Sequence, residues 1–338
     1  MLQRAFLRHR TLEMGIRIDD DQGTILRKLQ PEFGYMNLNR RDFLATTSAA
    51  AIGSVAFASS IQAATPANAP KKLVLIAGTP SHPPGMHEHN AGVQLFHQCL
   101  KDIPGLDVSF ILNGYPKDDS ILDTADGILC YSDGGKGHPL IQGERLQRLN
   151  KLLEKGVGLF CLHFGVEVPK DTAGDTFREW IGGCYEHEYS CNPIWNAKFA
   201  QLPDHPITRG VQPFSIVDEW YFNMRFRPDM KGVTPILTAT PTDETRDGPY
   251  VYPKGPYTHI QEAKGRPEHL MWATERSDGG RGIGFTGGHF HKNWGDDNFR
   301  KLVLNALLWI SKVDVPADGV ASTLTAEDLQ KNLDPKGK

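Results

Sequence analysis

Apolar residues are distributed along the chain as short continuous runs that alternate with amphipathic stretches. Residues 71–78 (KKLVLIAG) form a run that ends at a glycine, which is typical of a strand covered on both faces of a sheet. Residues 142–155 place leucines on one side of a predicted helix. The other predicted elements are a helix at 88–100, strands at 107–112, 127–131 and 157–163, a helix at 170–183, strands at 270–273 and 282–286, and a helix at 298–312.

This alternation of strands and helices predicts an α/β fold. Right-handed crossovers between successive strands give a mainly parallel sheet with helices on both faces. Residues 185–267 interrupt the pattern, because they are rich in Pro, Trp, Tyr and Asn and contain only short extended pieces such as 235–239. We expect a long irregular insertion there, and long excursions from a compact domain are usually functional.

The beginning of the chain carries an export motif. Asn39-Arg40-Arg41-Asp42-Phe43-Leu44 leads into a weakly hydrophobic stretch that ends at Ala63, as in a twin-arginine signal peptide. Met36 stands where a natural start would lie, so residues 1–35 are predicted to be an upstream start-site artefact, with a genuine long leader as the alternative. The expected organisation is a signal peptide at 36–63, a linker at 64–70, one domain at 71–315 and a C-terminal tail at 316–338. The twin-arginine machinery would deliver this protein to the periplasm.

Charge and composition exclude two classes of partner. Beyond residue 63 the sequence has 29 basic and 34 acidic residues, a formal charge of about −5, and no basic cluster. Nucleic acid is therefore not an expected partner, because phosphate binding needs a basic face. No run of eighteen apolar residues follows residue 63, so no membrane association is expected after processing.

Histidines follow several of the predicted strands. In open parallel sheets, ligands bind beyond the carboxyl ends of the strands, and six of the twelve histidines beyond residue 63 fall there. Imidazole is the commonest metal ligand in proteins, so this edge is predicted to hold either a divalent metal or a dense acid/base cluster. The residues predicted as metal ligands are His82, His87, His89 and His291, and those predicted as catalytic are His163, His289 and Glu219.

The fourth strand ends in GLFCLHFG, which has the form of a nucleophile elbow with His163 at the reactive position. Cys161 lies two residues earlier and is expected to be a buried structural thiol, which disfavours acyl transfer by cysteine. Cys184 and Cys191 are close enough in sequence to pair, but spacing leaves this open. The glycines of GIGFTG at 282–287 lie within a predicted strand rather than at a strand-to-helix turn, so no nucleotide cofactor is expected.

The insertion offers groups of the kind that bind sugars. Trp195 and Trp220 could present flat apolar faces to a pyranose, although a place in the core is an equal alternative for both. Polar side chains nearby could bind hydroxyl groups. The predicted substrate-binding residues are Asn192, Trp195, Asp218, Trp220, Asn223 and Arg225.

Several longer motifs resemble the ThuA-like family, the trehalose-utilisation proteins: HPPGMHEHN, YSDGGKGHPL, GLFCLHFGVEVPK, CNPIW, DEWYFNMRF and GGRGIGFTGGHFHKNW. The resemblance runs from about Lys71 to Ile310 and implies the flavodoxin-like, doubly wound fold of class I glutamine amidotransferases. It also implies a role in handling sugars, often beside oxidoreductases of the 3-keto-glycoside type. The amidotransferase relatives carry a cysteine at the elbow, where this chain has His163, so amide hydrolysis is not expected.

Taken together, the sequence predicts a periplasmic enzyme that acts on a sugar or 3-keto-glycoside by proton transfer, as an isomerase, epimerase or lyase does. Metal-assisted hydrolysis is the alternative reaction. A non-catalytic sugar-binding protein, whose histidines hold a structural ion, is the alternative from another class.

Overall fold

The structure is a computed structural model and describes residues 69–336. The predicted start-site artefact, the signal peptide and most of the linker lie outside the described residues. Within 69–336 no helix is both long and apolar enough to cross a membrane. The strands are β1 (Lys71–Ala77), β2 (Leu106–Ile111), β3 (Gly127–Tyr131), β4 (Gly158–Leu162), β5 (Gly183–Cys184), β6 (Ile194–Phe199), β7 (Phe214–Glu219), β8 (Arg225–Phe226), β9 (Val233–Ala239), β10 (Glu268–Glu275) and β11 (Arg281–Phe285).

Seven of these strands form one sheet in the order β2-β1-β3-β4-β11-β10-β9. The first five in that order are parallel, and β10 is antiparallel to both of its neighbours. The predicted α/β fold with a mainly parallel sheet is therefore confirmed. Because β1, β3, β4 and β11 point the same way, their carboxyl ends meet at one edge.

The helices are α1 (His89–Leu100), α2 (Arg145–Leu153), α3 (Asp175–Ile181), α4 (Asp243–Asp247), α5 (Thr258–Gln261) and α6 (Asp297–Ile310). Helices α1 and α6 pack on one face of the sheet and α2 and α3 on the other, each face with its own apolar core. Successive side chains of β1 enter opposite cores, Leu73 and Leu75 one and Val74 and Ile76 the other. This two-sided burial explains why β1 has no polar alternation.

The insertion is more regular than the sequence indicated. Strands β6 and β7 form an antiparallel ribbon, β5 pairs with β8, and β9 joins the edge of the main sheet. Alternate residues of β6 are exposed and buried, so its pattern is that of a one-sided strand. The prediction of an irregular segment was wrong here because the polar members of this alternation are the residue types that also fill loops.

Two glycines in the sheet allow unusually close packing. A Cβ atom on Gly284 would lie 2.0 Å from the Trp272 ring, and one on Gly158 would lie 2.2 Å from the carbonyl oxygen of Ile310 at the end of α6. The prediction that the GIGFTG glycines belong to a strand is confirmed for Gly282 and Gly284, which lie in β11. Their lack of a side chain serves packing between the sheet and its neighbours.

We predict that Gly158→Ala lowers the free energy of unfolding by about 1 to 3 kcal/mol, because its methyl group must displace backbone rather than a flexible side chain. Gly137→Ala is the matched control, since nothing lies within 4 Å of a Cβ atom there. Urea unfolding of the two variants measures the difference. Equal stabilities would contradict the close approach of α6 to β4.

Candidate metal and acid/base centre

Four buried side chains converge at the carboxyl edge of the sheet. His87 lies in the loop after β1, His163 directly follows β4, Glu219 ends β7, and His289 lies in the loop after β11. None is more than 4% exposed. Each offers one nitrogen or oxygen atom, and these four atoms all lie within 4.8 Å of one another. We call these four residues the central cluster.

The distances within the central cluster suit a shared cation. His87 Nε2 lies 3.1 Å from His163 Nε2 and 3.0 Å from His289 Nδ1, and these last two atoms are 3.3 Å apart. Glu219 Oε2 lies 2.8 Å from His289 Nδ1 and 3.3 Å from His163 Nε2. Ligand atoms around a tetrahedral zinc ion lie about 3.3 Å apart, as bond lengths near 2.0–2.1 Å require. The cluster is therefore a buried His/Glu group that could bind a metal.

Hydrogen bonds at the outer nitrogens of the His87 and His163 rings determine the tautomer of each ring, and so which nitrogen carries the inward-facing lone pair. His163 Nδ1 lies 2.8 Å from the Thr286 carbonyl oxygen, and His87 Nδ1 lies 2.7 Å from Asp133 Oδ1. A carbonyl or carboxylate oxygen only accepts, so we assign the proton to Nδ1 in each ring. In the neutral rings, both Nε2 atoms then present lone pairs to each other. A cation between them, either a metal ion or a proton, removes this repulsion, and outer acceptors of this kind are usual for metal-binding histidines.

The electrostatics of the central cluster favour one retained positive charge. Burial lowers the pKa of His87 to about 2. Burial alone would also lower the pKa of His163, but the adjoining Glu219 carboxylate outweighs it and the pKa of His163 is raised. Burial opposes ionisation of Glu219, yet His163 and His289 bring the pKa of that carboxyl down to about 2. The Glu219 carboxylate, 3.3 Å from His163 Nε2, therefore stabilises a proton on that ring.

Asp218 holds two parts of the central cluster together. Its carboxylate is buried and accepts hydrogen bonds from the backbone N–H groups of Glu219, Gly288 and His289 and from the Asn293 amide. Asp218 was predicted to bind substrate, but these four bonds occupy it within the protein. It is a positioning residue that ties β7 to the loop after β11.

His163 adopts the backbone conformation expected of an elbow. Its φ angle is +55°, in the left-handed region that non-glycine residues rarely enter. Gly165, two residues later, lies against the Cys130 carbonyl, where a Cβ atom would come within 3.0 Å. The predicted turn is confirmed, and it directs the His163 ring toward Glu219 and His289.

We predict that His163→Gly is more stable than His163→Ala by about 1 kcal/mol, because glycine enters the left-handed region without a steric penalty. At an ordinary helix or strand position the order would be reversed. Urea unfolding of the two variants without metal measures the difference. A more stable alanine variant would contradict the elbow geometry.

Asp133 is the centre of a second group of histidines. Its Oδ1 atom lies 3.7 Å from His82 Nδ1 and 3.7 Å from His89 Nε2, besides its short contact with His87. The His82 ring stacks on the His87 ring at 3.6 Å. His82, His87 and Asp133 form a second group that could bind an ion, and it shares His87 with the central cluster.

Of the four histidines predicted as metal ligands, only His87 belongs to the central cluster. His82 and His89 lie around Asp133, and His291 lies apart from both groups. The structure does not bring His291 into either group. Its side chain is buried, and its ring nitrogens have no hydrogen-bond partner among the described residues. The H-x-H rule failed there because residue 291 begins a 3₁₀ turn rather than continuing an extended segment.

Most of the side chains predicted to bind sugar instead make contacts within the protein. Trp220 is fully buried and packs on Phe199, Phe285 and Phe299, so it belongs to the core. Trp195 is 7% exposed and its indole donates to the Trp220 carbonyl. The prediction of flat sugar-binding faces was wrong for these two tryptophans, because the β6-β7 ribbon turns them inward.

The polar side chains predicted to bind sugar also make bonds within the protein. Arg225 pairs with Glu186 and lies over the Tyr189 ring, and the Asn223 side chain bonds to Tyr189 and Arg266. These groups hold the insertion together. Asn192 differs, since its amide donates to Glu219 Oε1 at 3.0 Å and so borders the central cluster.

Three further residues lie near the central cluster, and one of them, Tyr221, is a third aromatic residue of the predicted sugar pocket. The Tyr221 hydroxyl lies 3.2 Å from His163 Nε2. The Tyr185 ring lies 5.3 Å from that of Tyr221, and its buried hydroxyl has no partner among the described residues. Glu167 forms an isolated parallel bridge with Tyr185. Asp133 and Glu167 each lie a few residues beyond a strand, so the rule that found the histidines could have found both.

The cysteines are free thiols. Cys161 is fully buried between the sheet and its helices, and burial raises its pKa well above the usual range, as a structural role predicts. Cys184 and Cys191 are also free and enter different apolar cores. The disulfide that the sequence left open is not formed.

Sheet order, elbow and strand-end site together define an α/β protein with a flavodoxin-like sheet. The sequence model of the ThuA family, described as trehalose utilisation, matches residues 74–310, so the chain belongs to that family. None of the curated proteins matches it.

Two solved structures have the same fold. A ThuA-like protein from Bacteroides uniformis is 17% identical, with a TM-score of 0.51 over 75% of this chain and 96% of that one. A ThuA-like protein from Parabacteroides merdae is 15% identical, with a TM-score of 0.50 over 76% of this chain and 94% of that one. At these identities the likeness extends to the fold alone.

Proposed function

We propose that the protein is an enzyme that moves a proton on a sugar or 3-keto-glycoside, at a metal centre formed by the central cluster. The observation that carries this proposal is the set of three imidazole nitrogens and one carboxylate oxygen within 4.8 Å of one another, buried at the sheet edge. The outer hydrogen bonds of His87 and His163 support it, because they point the lone pairs of both rings at the same space.

A divalent ion bound by His87, His163, His289 and Glu219 would polarise a carbonyl group of the substrate. The protein contributes the rest of the chemistry. Asp133 and the Thr286 carbonyl hold two of the rings in one tautomer and orientation. Asp218 keeps Glu219 and His289 in register, and the amide of Asn192 binds the second oxygen of Glu219.

Glu167 is the group that we propose to move the proton. Its carboxyl group is 17% exposed, and burial, reinforced by the charge of Glu219, raises its pKa to about 7. A carboxyl group with a pKa near the working pH can both accept and return a proton, as isomerisation, epimerisation and elimination require. Among the described residues, the ion-pair partner of this carboxyl group is His187, whose Nδ1 lies 3.9 Å from Glu167 Oε1, beyond hydrogen-bond distance.

The hydroxyl groups beside Glu167 suit a substrate with many hydroxyls. Tyr185 has a buried hydroxyl without a partner among residues 69–336, and Tyr257 has another. Leaving such groups unpaired is costly, and a sugar hydroxyl can donate to and accept from each. Tyr185 lies beside Tyr221 and Glu167, so a sugar bound to its hydroxyl would lie next to the central cluster.

A Co²⁺ titration tests the metal centre. Protein purified without a histidine tag should bind about one equivalent of Co²⁺ with visible d–d absorption, and His163→Gln should weaken binding at least about tenfold because one ligand is lost. His291→Gln is the matched control, since His291 is also buried but lies outside the central cluster.

Binding that is unchanged in His163→Gln would contradict the proposed ligands. A wild-type protein that binds sugar but no divalent metal would favour an acid/base cluster or a sugar-binding protein over the proposal. Release of hydrolysis products from a glycoside would favour the alternative reaction, metal-assisted hydrolysis.

Glu167→Gln should stabilise the protein at pH 8. The pKa of Glu167 is raised in the folded state, so folding loses stability as the pH rises from about 4.5 to about 7, because the charged carboxylate is then buried and faces the charge of Glu219. The variant removes that cost and should gain about 1 to 3 kcal/mol at pH 8 and almost nothing at pH 4.

Urea unfolding at the two pH values measures this gain. Glu186→Gln is the control with the opposite sign, because Glu186 is paired with Arg225, its pKa is lowered, and its neutralisation should destabilise the protein at pH 8. A loss of stability at pH 8 in Glu167→Gln would contradict the raised pKa of the buried Glu167 carboxyl group.

We also propose export to the periplasm by the twin-arginine route. The Arg40-Arg41 motif and the weakly hydrophobic stretch to Ala63 support it. Transport of a folded protein would let the central cluster acquire its ion before export.

A further inference from the structure

We propose that Lys336, in the C-terminal tail, is a positioning residue that holds His87 in the central cluster. Lys336 Nζ donates hydrogen bonds to three backbone carbonyls of the loop after β1, those of Ser81, Met86 and His87. The last two distances are 2.9 and 3.0 Å. The side chain is only 4% exposed, so the three protons of the ammonium group are all used inside the protein.

The loop that carries His87 depends on contacts from outside itself. His82 and His87 have φ angles of +60° and +46°, and Gly85 has one of +83°, so three of its residues are in the left-handed region. Within the loop, Met86 donates to the Pro83 carbonyl, and His89 donates to the His87 carbonyl. A non-glycine residue in this region costs of order 1 kcal/mol and persists only where its surroundings fix it.

Two other segments supply that support. The first is the loop after β11, where Phe290 forms a bridge with Met86 and the His289 carbonyl accepts from His87 N–H. The second is the C-terminal tail. Lys336 therefore binds the carbonyl of the same residue whose ring nitrogen faces His163 and His289.

A second contact of the tail strengthens this link. Glu88 is buried, and its two carboxylate oxygens accept from Gly85 N–H at 2.7 Å and from Asp334 N–H at 2.6 Å. The buried Asp334 carboxylate lies 3.8 Å from Lys336 Nζ and balances its charge. Residues 334–336 thus contact the loop after β1 both at the Glu88 side chain and at three of its backbone carbonyls.

The tail lies beyond the residues that the ThuA family model matches, which end at 310. The lysine of these contacts therefore lies outside the part of the chain that the family model matches. The inference rests on the proposed metal centre for its effect on affinity, but the ordering of the loop by Lys336 can be measured without any metal.

The test compares Lys336→Met with Lys331→Met. Both replace a tail lysine by an uncharged side chain of similar length, but Lys331 is half exposed and, within residues 69–336, its one ion-pair partner is Asp328. Hydrogen–deuterium exchange of metal-free protein should be at least about tenfold faster over residues 79–90 in Lys336→Met and unchanged in Lys331→Met. Co²⁺ affinity should fall about 10- to 100-fold in Lys336→Met, the range seen when an outer partner of a ligand is lost.

Lys336→Arg keeps the charge and the donors, so it should restore part of the protection and part of the affinity. Removal of residues 333–338 is the second variant, and it should reproduce the exchange pattern of Lys336→Met. The d–d spectrum of bound Co²⁺ should also change in Lys336→Met, because the His87 ring is no longer held in one position.

Exchange over residues 79–90 that is the same in Lys336→Met as in the wild type would overturn the inference. So would equal losses of Co²⁺ affinity in Lys336→Met and Lys331→Met. A wild-type protein that binds no Co²⁺ would contradict the metal centre, while the exchange experiment would still decide the role of Lys336.

Discussion

The structure of the site depends on one electrostatic constraint: several buried lone pairs face one another and need a positive charge between them. Hydrogen bonds to Asp133 and to the Thr286 carbonyl leave the Nε2 atoms of His87 and His163 as acceptors 3.1 Å apart. In a low-dielectric interior, facing acceptors repel strongly. A divalent ion or a retained proton satisfies them, and the Glu219 carboxylate compensates that charge.

The fold is arranged so that this constraint can be met. Parallel strands bring the loops after β1, β3, β4 and β11 to one edge, and the β6-β7 ribbon delivers Glu219 from the insertion. Asp218 joins the ribbon to the last of those loops, and Lys336 closes the first. Left-handed backbone at His87 and His163 aims both rings inward. The left-handed backbone at these two residues lowers the stability of the fold, and the surrounding contacts hold it in place.

Much of this could be predicted from the sequence, because strand order in α/β proteins limits where polar residues meet. The apolar runs gave β1, β3 and β4 almost to the residue, and the rule of strand ends found His87, His163 and His289. The insertion was harder. A tryptophan such as Trp220 or an arginine such as Arg225 has the same sequence pattern whether its side chain binds a ligand or packs within the protein. The β6-β7 and β5-β8 pairings decide which of the two occurs here.

Long-range contacts were out of reach for a different reason. Lys336 is more than 240 residues from the carbonyls that it binds, and a single lysine near the end of a polar tail carries no periodic signal. His291 illustrates a local failure instead. The H-x-H motif is present in the sequence, but the backbone at residue 291 begins a 3₁₀ turn and is not extended. Sequence patterns report secondary structure and burial well, but they do not report which turn a loop takes.

X-ray absorption spectroscopy of the protein, purified without a histidine tag and without added metal, is the sharpest test of the proposed metal centre. We expect one tightly bound divalent ion whose first shell has three imidazole nitrogens, at least one oxygen and no sulfur. The spectrum should also show the outer-shell scattering of imidazole rings. A bound ion with sulfur ligands or an all-oxygen shell, or protein that holds no ion at all, would contradict a metal centre formed by His87, His163, His289 and Glu219.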